Sequence, residues 1–142
     1  MTTLRQMRDA IKAVFQANWA GSEPVYWAEN LQPVLPDSDD APVWLHITVE
    51  FGTDGVAAFG GGRLANERSQ FGTVTIRCMA ASGTGEDVCL DALDAAVVAL
   101  RGRRDGPLSF IGDVTGLDDG GSEDGAWFIR AALIGFEYRH IG

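Results

Sequence analysis

The chain has 142 residues, of which 46% are apolar and 22% are charged, and its 20 acidic and 11 basic side chains give a net charge of −9. This length is typical of one domain whose core needs neither a metal nor a disulfide. The composition excludes a disordered chain, a collagen-like fibre and a plain coiled coil. The charge argues against tight binding to duplex DNA, which requires clustered Lys and Arg.

The cysteines and the N-terminal segment indicate where the chain folds. Cys78 and Cys89 lie in apolar segments, and we interpret both as reduced core residues rather than as a disulfide or a metal pair. No apolar stretch approaches the roughly 20 residues of a membrane span. Residues 1–15 carry charges throughout, unlike a signal peptide. We therefore expect folding in a reducing cytoplasm and no contact with a membrane.

The first predicted element is an amphipathic helix of about four turns. Its apolar positions recur at steps of three and four residues from Leu4 to Trp19, and Thr2 or Thr3 is the expected N-cap. The apolar run at residues 25–27 follows a proline and predicts a short strand.

Two alternating strands are predicted in the middle of the chain. Residues 43–51 place Val, Leu and Ile on one face and Trp44 with polar residues on the other. Residues 52–55 are a turn signal, and residues 56–70 predict a strand that ends in a mobile loop. Residues 71–80 alternate again and predict the next strand.

The last third predicts a second helix, which follows Thr84, and then two strands. The strands are expected at about 108–117 and at 126–138, with an acidic glycine loop at 118–125 between them. The final strand is apolar on both faces. The order of elements predicts an α+β fold over residues 1–142: a single domain with a mixed, mostly antiparallel sheet and two helices packed on one face.

No group of side chains matches a known catalytic or metal site. Residues 60–63 (GGGR) lack the ending of a phosphate loop, and the acidic loop lacks calcium-hand spacing, which leaves a solvated turn or weak cation binding. His46 and His140 have no spaced second ligand, and no serine lies in a nucleophile elbow. We therefore expect no enzyme, no metal and no cofactor.

A surplus of large apolar side chains distinguishes the sequence. It has four tryptophans, and one of them, Trp44, lies on the nominally exposed face of its strand. Such a surplus in a soluble domain usually marks a protein–protein contact. The alternative is that helices cover both faces of the sheet.

Several short pieces occur in a particular order and spacing along nearly the whole chain. They are Ile11, Phe15 and Trp19; residues 25–30 (VYWAEN); Trp44-Leu45; the glycine-rich stretch that ends at Arg63; residues 72–76 and 80–85; residues 125–128 (GAWF); and Phe136-Glu137. Taken together, they resemble the tail terminator proteins of long-tailed, siphovirus-like phages and of gene transfer agents.

The resemblance implies a structural protein without catalytic residues or a cofactor. Subunits of that family close into a six-fold ring on the head-proximal end of the tail tube, stop its polymerisation and offer a surface for head joining. The resemblance therefore implies a homohexameric ring that contacts the tail tube protein and a head-completion or connector protein. DNA would pass through it without specific binding. The expected location is the virion tail, after assembly in the host cytoplasm.

A closed ring needs two different complementary patches on each subunit. The candidate subunit-interface residues are Trp44, Phe59, Arg63, Leu64, Phe71, Trp127, Ile129 and Leu133. An acidic bore would repel passing DNA, and the candidate lumen residues are Asp37, Asp39, Asp40, Asp118, Asp119, Glu123 and Asp124. Two alternatives stay open: a neck or head-completion adaptor, and a small-ligand-binding domain with a closed polar pocket.

Overall fold

The computed structural model describes residues 2–27, 42–58, 66–81, 83–84, 86–111, 114–121 and 127–141. The elements in these ranges are α1 (Leu4–Asn18), β1 (Val25–Trp27), β2 (Val43–Ala58), β3 (Glu67–Ala81), α2 (Glu86–Leu100), β4 (Arg104–Asp105), β5 (Leu108–Ser109), β6 (Val114–Gly121) and β7 (Trp127–Ile141). The sheet is mixed and mostly antiparallel, and helices pack on it, so the predicted α+β fold is confirmed.

Helix α1 begins where the sequence predicts, with Thr3 as its N-cap. The Gln6 backbone N–H donates to the Thr3 hydroxyl at 3.2 Å, and the Thr3 N–H donates to the Gln6 side-chain oxygen at 2.8 Å. This reciprocal pair satisfies two backbone donors that the first turn would otherwise leave free. The helix buries its apolar stripe, which consists of Met7, Ile11, Val14 and Phe15.

The long strands β2, β3 and β7 form the centre of the sheet. Strand β3 pairs antiparallel with β2 on one side and with β7 on the other, while β1 adds to the outer edge of β2 in parallel. The opposite edge of β7 pairs with β5 near its C-terminal end and with β6 along its N-terminal half. Strand β4 extends the sheet beyond β5.

Both helices pack on the same face of this sheet. Helix α2 contacts β2, β3 and β7, and α1 packs beside α2. Ala92, Ala96 and Ala99 are buried on α2, and these small side chains let the helix approach the strands closely. The largest fully buried side chains include Phe15, Phe136, Met7, Ile11, Leu45, Ile47, Ile76, Leu100, Leu108 and Ile134. No helix in the described ranges is long and apolar enough to cross a membrane.

The turn predicted at residues 52–55 is wrong, because β2 continues through this segment to Ala58. The pairing of β2 with β3 shifts register between Phe51 and Asp54, which is a β-bulge or a similar irregularity. The buried side-chain amide of Gln70 donates to the carbonyl oxygens of Gly52 at 3.1 Å and of Phe71 at 2.8 Å. These bonds satisfy backbone carbonyl groups at the irregularity. They help to keep this segment in the strand, although its residues favour a turn.

The single strand predicted at 108–117 is also wrong, because the structure has the separate strands β5 and β6 there. Strand β6 extends to Gly121, so the backbone of Asp118 and Asp119 lies in a strand rather than in the predicted loop at 118–125. The long edge of β7 continues to offer backbone partners, and a register shift between Asp118 and Gly120 accommodates the glycine-rich segment. The two-residue strand β4 was not predicted.

Candidate functional site

The face of the sheet opposite the helices is called the second face here. Side chains alternate along a strand, so the register of β2, β3 and β7 groups the side chains of this face into rows. The first row contains Trp44, Met79 and Ile129. The second contains His46, Arg77 and Ala131, and the third contains Thr48, Thr75 and Leu133. Phe71 lies further along β3 on the same face. The second face therefore carries five of the eight predicted interface residues: Trp44, Phe71, Trp127, Ile129 and Leu133.

An aromatic cluster lies at one end of the second face. The Trp44 ring meets Tyr26 of β1 edge-on, with ring centroids 5.5 Å apart, and meets Trp127 of β7 edge-on at 5.6 Å. Edge-to-face contact is the geometry that the charge distribution of aromatic rings favours. The cluster joins β1, β2 and β7 across the width of the sheet.

The expectation that Trp44 is exposed is wrong, since only 2% of its surface is accessible. Its neighbours on β1 and β7 enclose the ring, which is a tertiary effect that period-two alternation within β2 does not reveal. Its indole Nε1 is buried and has no hydrogen-bond partner among the residues that the structure describes. A buried donor without an acceptor lowers the stability of the fold.

The other described interface candidates retain accessible surface. Trp127, Ile129 and Leu133 are half-buried along β7, and Phe71 is 42% exposed. Phe59, Arg63 and Leu64 lie outside the described residues. So do five lumen candidates, which are Asp37, Asp39, Asp40, Glu123 and Asp124. For Asp118 and Asp119, the structure describes the backbone in β6 alone.

In the middle of the second face, Arg77 lies beside His46, whose pKa is lowered. Burial, and then the positive charge of Arg77, lower the pKa of His46 from its usual range. His46 is therefore neutral at pH 7. The structure half-buries the His46 side chain.

Ion pairs join the strands at the far end of the sheet. Asp54 contacts Arg68 at 3.1 Å and the buried His140 ring at 3.2 Å. Arg139 pairs with Glu137 at 2.9 Å and with Glu67 at 3.0 Å, and these carboxylates raise its pKa. These contacts connect β2, β3 and β7 beyond the helix layer, and their chemistry is that of structural cross-links.

The two cysteines lie together in the core, where the sequence predicts them. The Cys89 thiol of α2 donates to the carbonyl oxygen of Cys78 on β3 at 3.6 Å, and both thiols are free in this structure. A side-chain hydrogen bond between the two thiols, followed by burial, raises the pKa of the Cys78 thiol. A protonated thiol is a poor nucleophile, so Cys78 packs α2 against the sheet. In the described part of the chain, no three His, Cys, Asp or Glu side chains gather as metal ligands.

A groove of about 640 Å³ lies between α1 and the turn that follows α2, and the sequence analysis missed it. Arg101, Arg103 and Arg104 line it. The available signal was their density, since three of the chain's 11 basic residues lie within four positions.

Comparison with known proteins supports the fold and adds nothing on activity. No protein-family model matches the chain, and no curated protein matches it. One solved structure, of a protein whose designation states no function, has a TM-score of 0.63 at 13% identity over 95% of this chain and 97% of that one. At this identity the similarity shows a shared fold alone.

Proposed function

We propose that this chain is a tail terminator subunit of a long-tailed phage or a gene transfer agent. Copies of it form a homohexameric ring on the head-proximal end of the tail tube, stop polymerisation of the tube and present a surface for head joining. The observation that carries the proposal is the second face, where Trp127 meets the buried Trp44 edge-on and Ile129 and Leu133 lie half-buried further along β7.

The second face has the features of a protein contact. Large aromatic and aliphatic side chains at the centre of an interface contribute most of the binding energy, and a surrounding rim excludes water. Trp127 is such an aromatic side chain, and it adjoins the rigid Trp44–Tyr26 pair.

The net charge of −9 supports a ring through which DNA passes without being held. Carboxylates that line a bore repel phosphates, and this repulsion lowers the friction of passage. The seven lumen candidates remain part of this proposal. On this reading the protein works by contacts alone, with the tail tube protein on one side and a head-completion protein on the other, in the assembled tail.

The test is to measure the size of the purified chain in solution and its binding to isolated tail tubes. The expected result is a ring-sized assembly and capture at one tube end. Assembly reactions that omit the protein should give overlong tails. Tails of normal length that fail to join heads would instead indicate a neck adaptor, and a strict monomer that ignores tubes would refute both functions.

A further inference from the structure

We propose that the groove between α1 and the turn after α2 is a docking site for the acidic outer face of α2 on a second copy of this chain. This inference rests on the self-association proposed above and assigns one pair of contacting surfaces to it. The groove is called the arginine groove below.

The arginine groove has an apolar floor and a basic rim. Ala13, Val14, Ala17 and Val98 contribute apolar lining, and Val98 is 57% exposed. Arg101 and Arg104 are exposed on the rim, Arg103 is half-buried there, and Asp105 is the one carboxylate among the lining residues. A site of this kind accepts a segment that has both an aliphatic side chain and carboxylates.

The guanidinium groups of the rim have unused donors. Four other described arginines are engaged by carboxylates: Arg8 by Asp9, Arg68 by Asp54, Arg130 by Glu86, and Arg139 by Glu67 and Glu137. Arg103 donates to the Val98 carbonyl oxygen at 3.4 Å, while its buried Nε has no partner in the described part of the chain. Within the described ranges, Arg101, Arg103 and Arg104 form no ion pair. The exposed guanidinium groups of Arg101 and Arg104 can therefore donate to incoming carboxylates.

The outer face of α2 is complementary to the groove. Asp87, Asp91 and Asp94 recur at steps of four and three residues and are exposed, so they form one stripe. Leu90, which is 40% exposed, lies within that stripe. The leucine would rest on the alanine and valine floor while carboxylates meet the arginines, a pairing that favours bidentate hydrogen bonds.

A second copy fits this groove better than a nucleic acid does. The chain's net charge of −9 repels a polyanion at long range, whereas the required carboxylates are present on every copy. The groove lies at the C-terminal end of α2, and the acidic stripe starts near its N-terminal end. Two different surfaces that bind each other on successive copies make a head-to-tail contact, which is the kind that builds a ring.

The test is a charge exchange between the two surfaces. One variant, R101E/R104E, makes the groove acidic, and the other, D91K/D94K, makes the stripe basic. The control R5E/R8E applies the same change of charge as the groove variant at the other end of α1. Association is measured by sedimentation velocity at about 0.05 M and about 0.5 M salt. Thermal unfolding followed by circular dichroism confirms that each variant folds.

The groove variant and the stripe variant should each associate at least about tenfold more weakly than the wild type, while the control stays within about twofold. Mixing the two variants in equal amounts should restore association, because each contact then pairs opposite charges. Folded variants that associate like the wild type, or a mixture that fails to recover, would overturn this inference.

Failure of this inference is distinguishable from failure of the proposed ring. If Trp127→Ala abolishes association and the groove variant does not, the ring stands and the arginine groove is not its contact. If the charge exchange succeeds but the assembly is a closed dimer, the docking stands and the hexameric ring falls. A wild-type chain that remains monomeric at every concentration would overturn both.

Discussion

The two faces of the sheet are formed by the same strands, but different elements of the structure cover them. On the helix-covered face, Val74, Ile76 and Cys78 of β3 are fully buried. On the second face, the alternating positions of the same strand include Arg77 and Met79, which are only half-buried. Small residues of α2 complete the first face, whereas an aromatic cluster at one end shields part of the second. The first face is therefore the core of the domain, and the second retains accessible surface.

The sharpest way to test this difference is to truncate one phenylalanine on each face. Phe136 is buried on the helix-covered face and meets Phe51 edge-on, with ring centroids 6.0 Å apart. Phe136→Ala should lower the free energy of unfolding by about 3–5 kcal/mol. Phe71→Ala, on the second face, should cost less than about 1 kcal/mol. Urea denaturation of the monomer measures both, and equal losses would mean that the faces do not differ as described.

Assembly should respond in the opposite way. Trp127→Ala removes a half-buried aromatic from the second face and should weaken self-association by about 2 kcal/mol or more, which is the scale of an interface hot spot. Asp9→Ala alters an exposed charge on α1 and should change association by less than about 0.5 kcal/mol. Light scattering over a dilution series gives both values. Similar behaviour of the two variants would contradict the assignment of the second face.

A glycine provides a finer test of packing between the strands. A methyl group on Gly72 would collide with the carbonyl oxygen of Glu50 and with the Phe136 ring, while one on Gly55 would meet open space. Gly72→Ala should therefore cost about 1–3 kcal/mol of folding stability. Gly55→Ala should change it by less than about 0.5 kcal/mol. Thermal unfolding compares the pair, and a tolerated Gly72→Ala would show that Phe136 is less confined than the structure indicates.

The smallest expected effect concerns pH and His46. Its pKa is lowered in the folded state, so the unfolded chain takes up a proton more readily as the pH falls below about 6.5. The His46 contribution is therefore fully present above that pH and is lost as the pH falls through the folded pKa. His46→Gln should flatten this part of the stability curve, as measured by denaturation at several pH values. Parallel curves for the two proteins would exclude the effect.

The fold was predictable because its signals are periodic. Alternation along residues 43–51 and 71–80 and the helical spacing from Leu4 onward each reflect one buried face. The irregularity in β2 was not predictable, because it depends on the buried Gln70, 18 positions away from the Gly52 carbonyl that it satisfies. The local sequence at residues 52–55 contains only the turn signal and gives no sign that the strand continues.

The candidate site was predictable in part. An apolar excess in β7 pointed to Trp127, Ile129 and Leu133, which the structure places on the second face. The burial of Trp44 arises from rings on β1 and β7, which no pattern within β2 encodes. The arginine groove depends in the same way on how α1 lies beside the end of α2.

The position of β7 in the sheet has a consequence for synthesis on the ribosome. This strand pairs with β3 on one side and with β5 and β6 on the other, and it follows all three in the sequence. Until it emerges, the nascent polypeptide has β3 with an uncovered hydrogen-bonding edge, and such edges promote aggregation. A prematurely terminated product would thus lack the piece that joins the two halves of the sheet, which makes it a substrate for chaperones and proteases.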